Sequence, residues 1–285
     1  MRRVFLVVAV FIYVLRAMPQ EDHPAAAFIQ SARMATAKYR DRSVAIAEGY
    51  RKIGTDFPGM GEHWINIDLV FDNKFDPAHP EILTYADVAG TPQLLGVAYA
   101  LPLLKGESAP EWPVGKEAWH DHFRTLEDET ALPQHHTPVS AGDAPRITML
   151  HAWIWLENPA GVFAADNWAL PYFRLGMQPP HNAAPHDAPI TAAKALSLVS
   201  GGAGYFAASI RAATGPLTGG EQKHIDAAFA QSHAAVEQFL RARPLGTLTH
   251  SELDHLSAIW AGLWKAVDAS VSHKMRLRLQ ELPTR

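Results

Sequence analysis

The sequence predicts an α+β fold in which sheet and helices are largely segregated along the chain. Three observations carry this expectation. A helical pattern opens the chain after an apolar leader, strand-like alternation dominates residues 63–156, and helical periodicity takes over from residue 190. The strands alternate polar and apolar residues, which fits an antiparallel sheet with one face covered. The predicted architecture is an N-terminal helix on a small antiparallel β-sheet, followed by a C-terminal helical bundle.

Residues 1–20, MRRVFLVVAVFIYVLRAMPQ, place Arg2 and Arg3 before an unbroken apolar run from Val4 to Leu15. This run falls short of the roughly 20 apolar residues that span a bilayer, and it has the length of a signal-peptide core. The segment is read as a signal peptide, the protein as periplasmic or secreted, and no stable membrane span is expected after processing. No A-x-A site precedes Glu21, so an uncleaved anchor is the competing reading. No Cys follows the run, which excludes lipoprotein anchoring.

Residues 21–176 form the expected α+β, histidine-rich domain. Pro24 suits a first helical turn. Phe28, Ala32, Ala35, Tyr39, Val44, Ala47 and Tyr50 then recur at helical spacing, so a helix is expected over 24–53 with Gly54 as its stop. FPGMG at 57–61 breaks the pattern. HWINIDLVF (63–71) and EILTYA (81–86) read as strands, with a turn at Val88–Gly90 before QLLGVAYALPLL (93–104). ITMLHAWIWL (147–156) is the strongest strand signal, and its alternation puts Met149, His151, Trp153 and Trp155 on one face. MQPPHNAAPHDAP (177–189) reads as a linker that few contacts cross. Helices are expected near 190–213, 221–242 and 249–281, the last with a stripe of Leu253, Leu256, Trp260, Leu263, Val267 and Val271.

Composition removes several kinds of chemistry. With 15 His and no Cys, the chain has no disulfides, thiolate metal sites, iron–sulfur clusters or Cys nucleophiles. The formal charge is −4. Loss of the leader would remove three of the 25 basic residues and none of the 29 acidic ones, leaving −7. Neither value suits nucleic-acid binding, which needs a basic stripe. H-E-x-x-H, G-x-S-x-G, Walker A and dinucleotide glycine patterns are all missing.

The chemistry-bearing residues are histidines. In WHDH, an extended backbone points His120 and His122 the same way, as a chelating pair. Glu127 follows, and the H-x-H-x4-E spacing resembles the first half of a cupin metal motif. His151 follows later without the usual P-x-G approach. The competing reading starts a helix at 119–130 and splits the pair. His151 stands in an apolar strand, where an imidazole needs a hydrogen bond or a metal. Met149, two residues away, would add a thioether suited to copper(I). His63 follows a glycine-rich turn, and a hairpin could bring Glu81 beside it. Trp64, Trp119, Trp153 and Trp155 adjoin these histidines and could form an aromatic wall. His135, His136, His181, His186, His224, His233, His250, His255 and His273 lack ligand spacing and are assigned to loops or solvated faces.

The segments ATAKYRD (35–41), AEGY (47–50), GMGEHWIN (59–66), HPEILTYA (79–86) and LHAWIWLENPAGVFAADNWALP (150–171) together resemble a group of exported bacterial proteins of uncharacterised function. The resemblance spans roughly residues 30–176 and implies export without implying an activity. Members carry an acidic residue where this chain has Ala98, so a ligand at that position would be lost here.

The leading functional expectation is an exported protein with a mononuclear site for zinc, copper or iron, built from His63, Glu81, His120, His122 and His151. A metalloenzyme would also need an open coordination position and an acid or base, for which Glu81 and Glu127 are the candidates. The rival is a non-catalytic envelope or ligand-binding protein with structural histidines and a tryptophan-lined pocket for a small molecule.

Overall fold

The computed structural model describes residues 24–122, 145–181, 183–184, 187–243, 246–282 and 285. The leader, Glu127, His135, His136 and His186 lie outside them. The fold is α+β, with an N-terminal helix, a curled antiparallel sheet and C-terminal helices.

The single helix expected over 24–53 is broken. α1 (Pro24–Thr36) runs into a 3-10 turn (Ala37–Arg40), and α2 (Arg42–Ala47) begins afresh. Asp41 causes the restart, because its carboxylate accepts from the Ser43 N–H at 2.9 Å as an N-cap. β1 (Arg51–Phe57) follows, a strand hidden in the sequence because most of its residues are exposed or half-buried and show no apolar alternation.

β2 (Gly61–Ile65) is shorter than HWINIDLVF suggested. The Asn66 side chain accepts from Asp68 N and opens a short α3 (Ile67–Val70). β3 (Ile82–Val88) and β4 (Thr91–Leu103) form a hairpin through Ala89 and Gly90, both at positive φ as a two-residue hairpin turn requires. β5 (His120–His122) and β6 (Arg146–Ala152) complete an antiparallel sheet of order β1-β2-β3-β4-β6-β5.

Register sorts the side chains, because residues paired across an antiparallel ladder share a face. One face carries Ile53, His63, Thr84 and Gly96 in one row, Ile65, Ile82, Ala98 and His151 in the next, then Ala100, Met149 and His120. The other carries Trp64, Leu83, Val97 and Ala152, beside Tyr99 and Leu150. α1 covers this second face through Phe28 and Ala32, in a cluster with Tyr85, Tyr99 and Leu150.

The helical part holds α4 (Leu170–Arg174), α5 (Ala188–Ser197), α6 (Ala203–Thr214), α7 (Gly219–Arg241), α8 (His250–Ser270) and α9 (His273–Gln280). α7 and α8 open on reciprocal capping boxes, Thr218 with Glu221 and Thr249 with Glu252. The helix expected over 249–281 is two, because Ser272 caps a new start. The α8 stripe is buried as its periodicity implied, in one cluster with Phe57, Met60 and Trp153. The helices are therefore docked on the sheet, contrary to the sparse contact expected across 177–189. Arg174 reinforces the docking by clamping Asp56 of β1 at 2.5 and 2.8 Å while donating to the Ser200 carbonyl. No helix among the described residues is long and apolar enough to cross a membrane.

Two glycines test this geometry. Gly61 and Gly90 both sit at positive φ, but a Cβ at Gly61 would lie 2.4 Å from the Tyr85 carbonyl oxygen, whereas one at Gly90 would meet nothing within 4 Å. Gly61→Ala should cost about 3 kcal/mol, combining backbone strain with a steric clash. Gly90→Ala should cost only about 1 kcal/mol. Urea midpoints measure both, and equal shifts would contradict the close approach of β2 to β3.

Candidate functional site

Three strands bring four imidazoles together. His63 comes from β2, His151 from β6, and His120 and His122 from β5, all on the same face of the sheet. The ring centres of His63 and His151 are 5.8 Å apart, those of His151 and His120 are 5.2 Å apart, and those of His120 and His122 are 5.0 Å apart. β5 is extended, so the H-x-H pair stays on one side, as strand alternation requires.

The His63–His151 distance shows how strongly the sheet curls. β3 and β4 lie between their strands, and three strand spacings in a flat sheet would be about 14 Å. Closure to 5.8 Å makes this face concave. Small side chains floor the hollow: Thr84, Gly96, Ala98 and Ala100. Gly96 is required here, since a Cβ would meet the Ala152 carbonyl oxygen at 2.4 Å.

His63, His122 and His151 are buried, and His120 is half-buried. Ile65, Ile82, Ala98, Ala100 and Met149 form the apolar cluster on the same face. Phe57 meets His63 edge-on at 5.2 Å and Tyr205 of α6 at 5.3 Å, so the docked helices close one end of the hollow. The expected tryptophan wall is not there. Trp64, Trp119 and Trp155 pack in or against the cluster beneath α1, the first two because they sit one residue out of phase with His63 and His120, and Trp155 because it lies beyond the end of β6. The chain leaves β6 after Ala152, so Trp153 does not continue the alternation and joins the helical core.

Asp121 points away from its two neighbours and receives Arg146 Nε at 2.7 Å. Arg146 also donates from Nη2 to the Glu107 carbonyl at 2.7 Å, and its side chain is 1% exposed. This pair ties β5 to β6 from the reverse side and so fixes the pitch of His120 and His122. Sequence reasoning passed over both residues. The available signal was the acid inside H-D-H, whose side must alternate with that of the histidines.

Glu81 is placed elsewhere. His63 pairs with Thr84, so Glu81 lies three residues back along β3, about 10 Å away. Its carboxylate instead accepts from the Ala100 N–H at 3.1 Å, beyond the last β3–β4 pair. Burial pushes its pKa up to about 8, with Asp72 and Asp76 adding to the rise. No hydrogen bond joins it to an imidazole among the described residues. Of the remaining histidines, His224, His250, His255 and His273 are exposed, and His233 is half-buried on α7.

Two imidazoles bound to one ion at about 2.0–2.1 Å would have ring centres about 5 Å apart. The three observed separations are near that value. The rings nevertheless form a chain from His63 to His122. As placed, no three His, Asp or Glu side chains among the described residues enclose a metal position. Imidazole donors are of the type that transition metals take, and a shared ion would require these rings to turn toward a common centre. Comparison with protein families, characterised proteins and solved structures finds no match to the chain.

Glu81 supplies a pH test. Its folded pKa of about 8 stands above the ordinary glutamate value of 4.5, so the folded state holds an extra proton between them. Its contribution to stability is full below the lower value and is lost as pH rises through the upper one, approaching tenfold in the folding constant per pH unit. Glu81→Gln should flatten this slope and raise the urea midpoint at pH 8. An unchanged slope in the variant would remove Glu81 as its source.

Proposed function

We propose that this chain is an exported metal-binding protein whose ion is held by His63, His120, His122 and His151. The observation that carries the reading is the meeting of four imidazoles from three strands inside an otherwise apolar hollow. Imidazole nitrogens serve zinc, copper and iron alike, and the thioether of Met149 in the same cluster would favour copper(I) if it turned toward the ion. Glu81 is committed to the β4 backbone. The reading is of metal binding, and catalysis would further require an acid or base beside the ion, the role for which the sequence offers Glu127. The leader of two arginines and an apolar run supports export.

Metal retention tests the reading. Protein from the native compartment, desalted and analysed for its elements, should carry one transition-metal ion per chain. His120→Ala should weaken affinity by about a hundredfold, while His233→Ala on α7 should leave it unchanged. Retention should also fall as protons compete for the imidazole nitrogens, around pH 6.5 for a free side chain. Equal affinity in the two variants, measured by competitive titration at fixed pH, would overturn the assignment.

A further inference from the structure

Charge and softness select among the metals that imidazole alone leaves open. His120 and His151 are the middle pair in the chain of rings, with centres 5.2 Å apart. Met149 stands beside both. It pairs with His120 across the β5–β6 ladder, and it lies two residues before His151 on the same face of β6. Met149 and His151 are buried, and His120 is half-buried on the last described strand of the sheet. Two imidazoles and one thioether thus share a small area of the hollow.

All three donors are uncharged when they ligate. None of the residues paired across the strands on this face is Asp or Glu. Ala98 stands opposite His151 and Ala100 opposite Met149, while Asp121 turns to the reverse side and Glu81 serves the Ala100 N–H. Ile65, Ile82, Ala98 and Ala100 make the surroundings apolar. The cost of withdrawing an ion from water rises with the square of its charge, so a divalent ion costs about four times as much here as a monovalent one. Neutral donors leave zinc(II) or iron(II) with two uncompensated charges and copper(I) with one. Thioether sulfur also favours the soft copper(I) ion. Copper(I) accepts a three-donor shell, so the four rings need not enclose it.

We propose that the ion is copper(I), with His120, His151 and Met149 as its closest donors. This rests on the metal-binding reading above and names its metal. His63 and His122 stand at either end of the chain of rings. The half-buried His120 is the donor that solvent reaches.

Competitive titration of the full chain tests this, with bathocuproine disulfonate as the copper(I) competitor under anaerobic ascorbate and a chromogenic chelator for zinc(II) in parallel. Copper(I) should bind one to one and at least about a hundredfold more tightly than zinc(II). Met149→Leu, close in volume, should weaken copper(I) binding at least about tenfold with the thermal midpoint held. Should that variant fold poorly, copper K-edge absorption of the unaltered protein decides the matter. The chain has seven Met and no Cys, so a sulfur neighbour of bound copper(I) is a thioether. Zinc(II) held as tightly as copper(I), unchanged copper(I) affinity in Met149→Leu, or a copper shell without sulfur would overturn the copper(I) assignment and leave the metal-binding reading standing. Binding of neither ion would overturn both.

Discussion

Four imidazoles can be withdrawn from water on one face of a sheet only if that face folds over them. The rest of this structure follows from the curl that achieves it. β4 is the hinge line, with Gly96, Ala98 and Ala100 on the inside and Val97, Tyr99 and Leu101 on the outside. Bulk on one surface and its lack on the other bend the sheet toward the small residues. α1 then packs Phe28 against Tyr99 on the outer surface, with ring centres 5.1 Å apart. The helices seal the end of the hollow through Tyr205 and Phe57. Loss of either layer would expose the strands to water and relax the bend that keeps His63 near His151.

Two acids near the strands, half-buried Asp121 and buried Glu81, carry structural tasks. Asp121 meets a buried guanidinium and holds a three-residue strand in place. Glu81 takes a backbone N–H where β3 has ended and no ladder partner is available. The first accepts from the Nε of Arg146. The second is pushed toward its neutral form by burial, and a neutral carboxyl still satisfies the Ala100 N–H. Both show that an acid near a candidate metal ligand can serve the sheet instead, through a side-chain ion pair or a backbone N–H.

Period-two alternation made much of the site legible in the sequence. It placed His120 with His122 and His151 with Met149, and the structure keeps each pair on one face. It could not show that these faces meet, because that depends on strand order and curvature across residues far apart in sequence. The boundaries that failed share a local cause. Asp41, Asn66 and Ser272 each redirect the chain with a side-chain cap, where hydrophobic periodicity continues across the break. Glu81 was misplaced by register, since the hairpin pairs His63 with Thr84. Trp64 and Trp119 were misplaced by phase, since they stand next to histidines and so face the other way, and Trp153 and Trp155 by the end of β6 at Ala152.

Strand order also gives the cluster unequal footing. His63 and His151 stand on β2 and β6, each flanked by a strand on both sides. His120 and His122 stand on β5, the last described strand of the sheet, joined to β6 over three residue pairs and backed by one ion pair. Fraying of this edge would carry off half the imidazoles together while β1, β2, β3, β4 and β6 stayed paired. The hollow thus has a hinged side, whose opening is a local event drawn from the low end of the protein's stability range. Amide hydrogen exchange at Asp121 would then run ahead of exchange at Ala98, and anything entering or leaving the hollow by that side would do so at the pace of the edge strand.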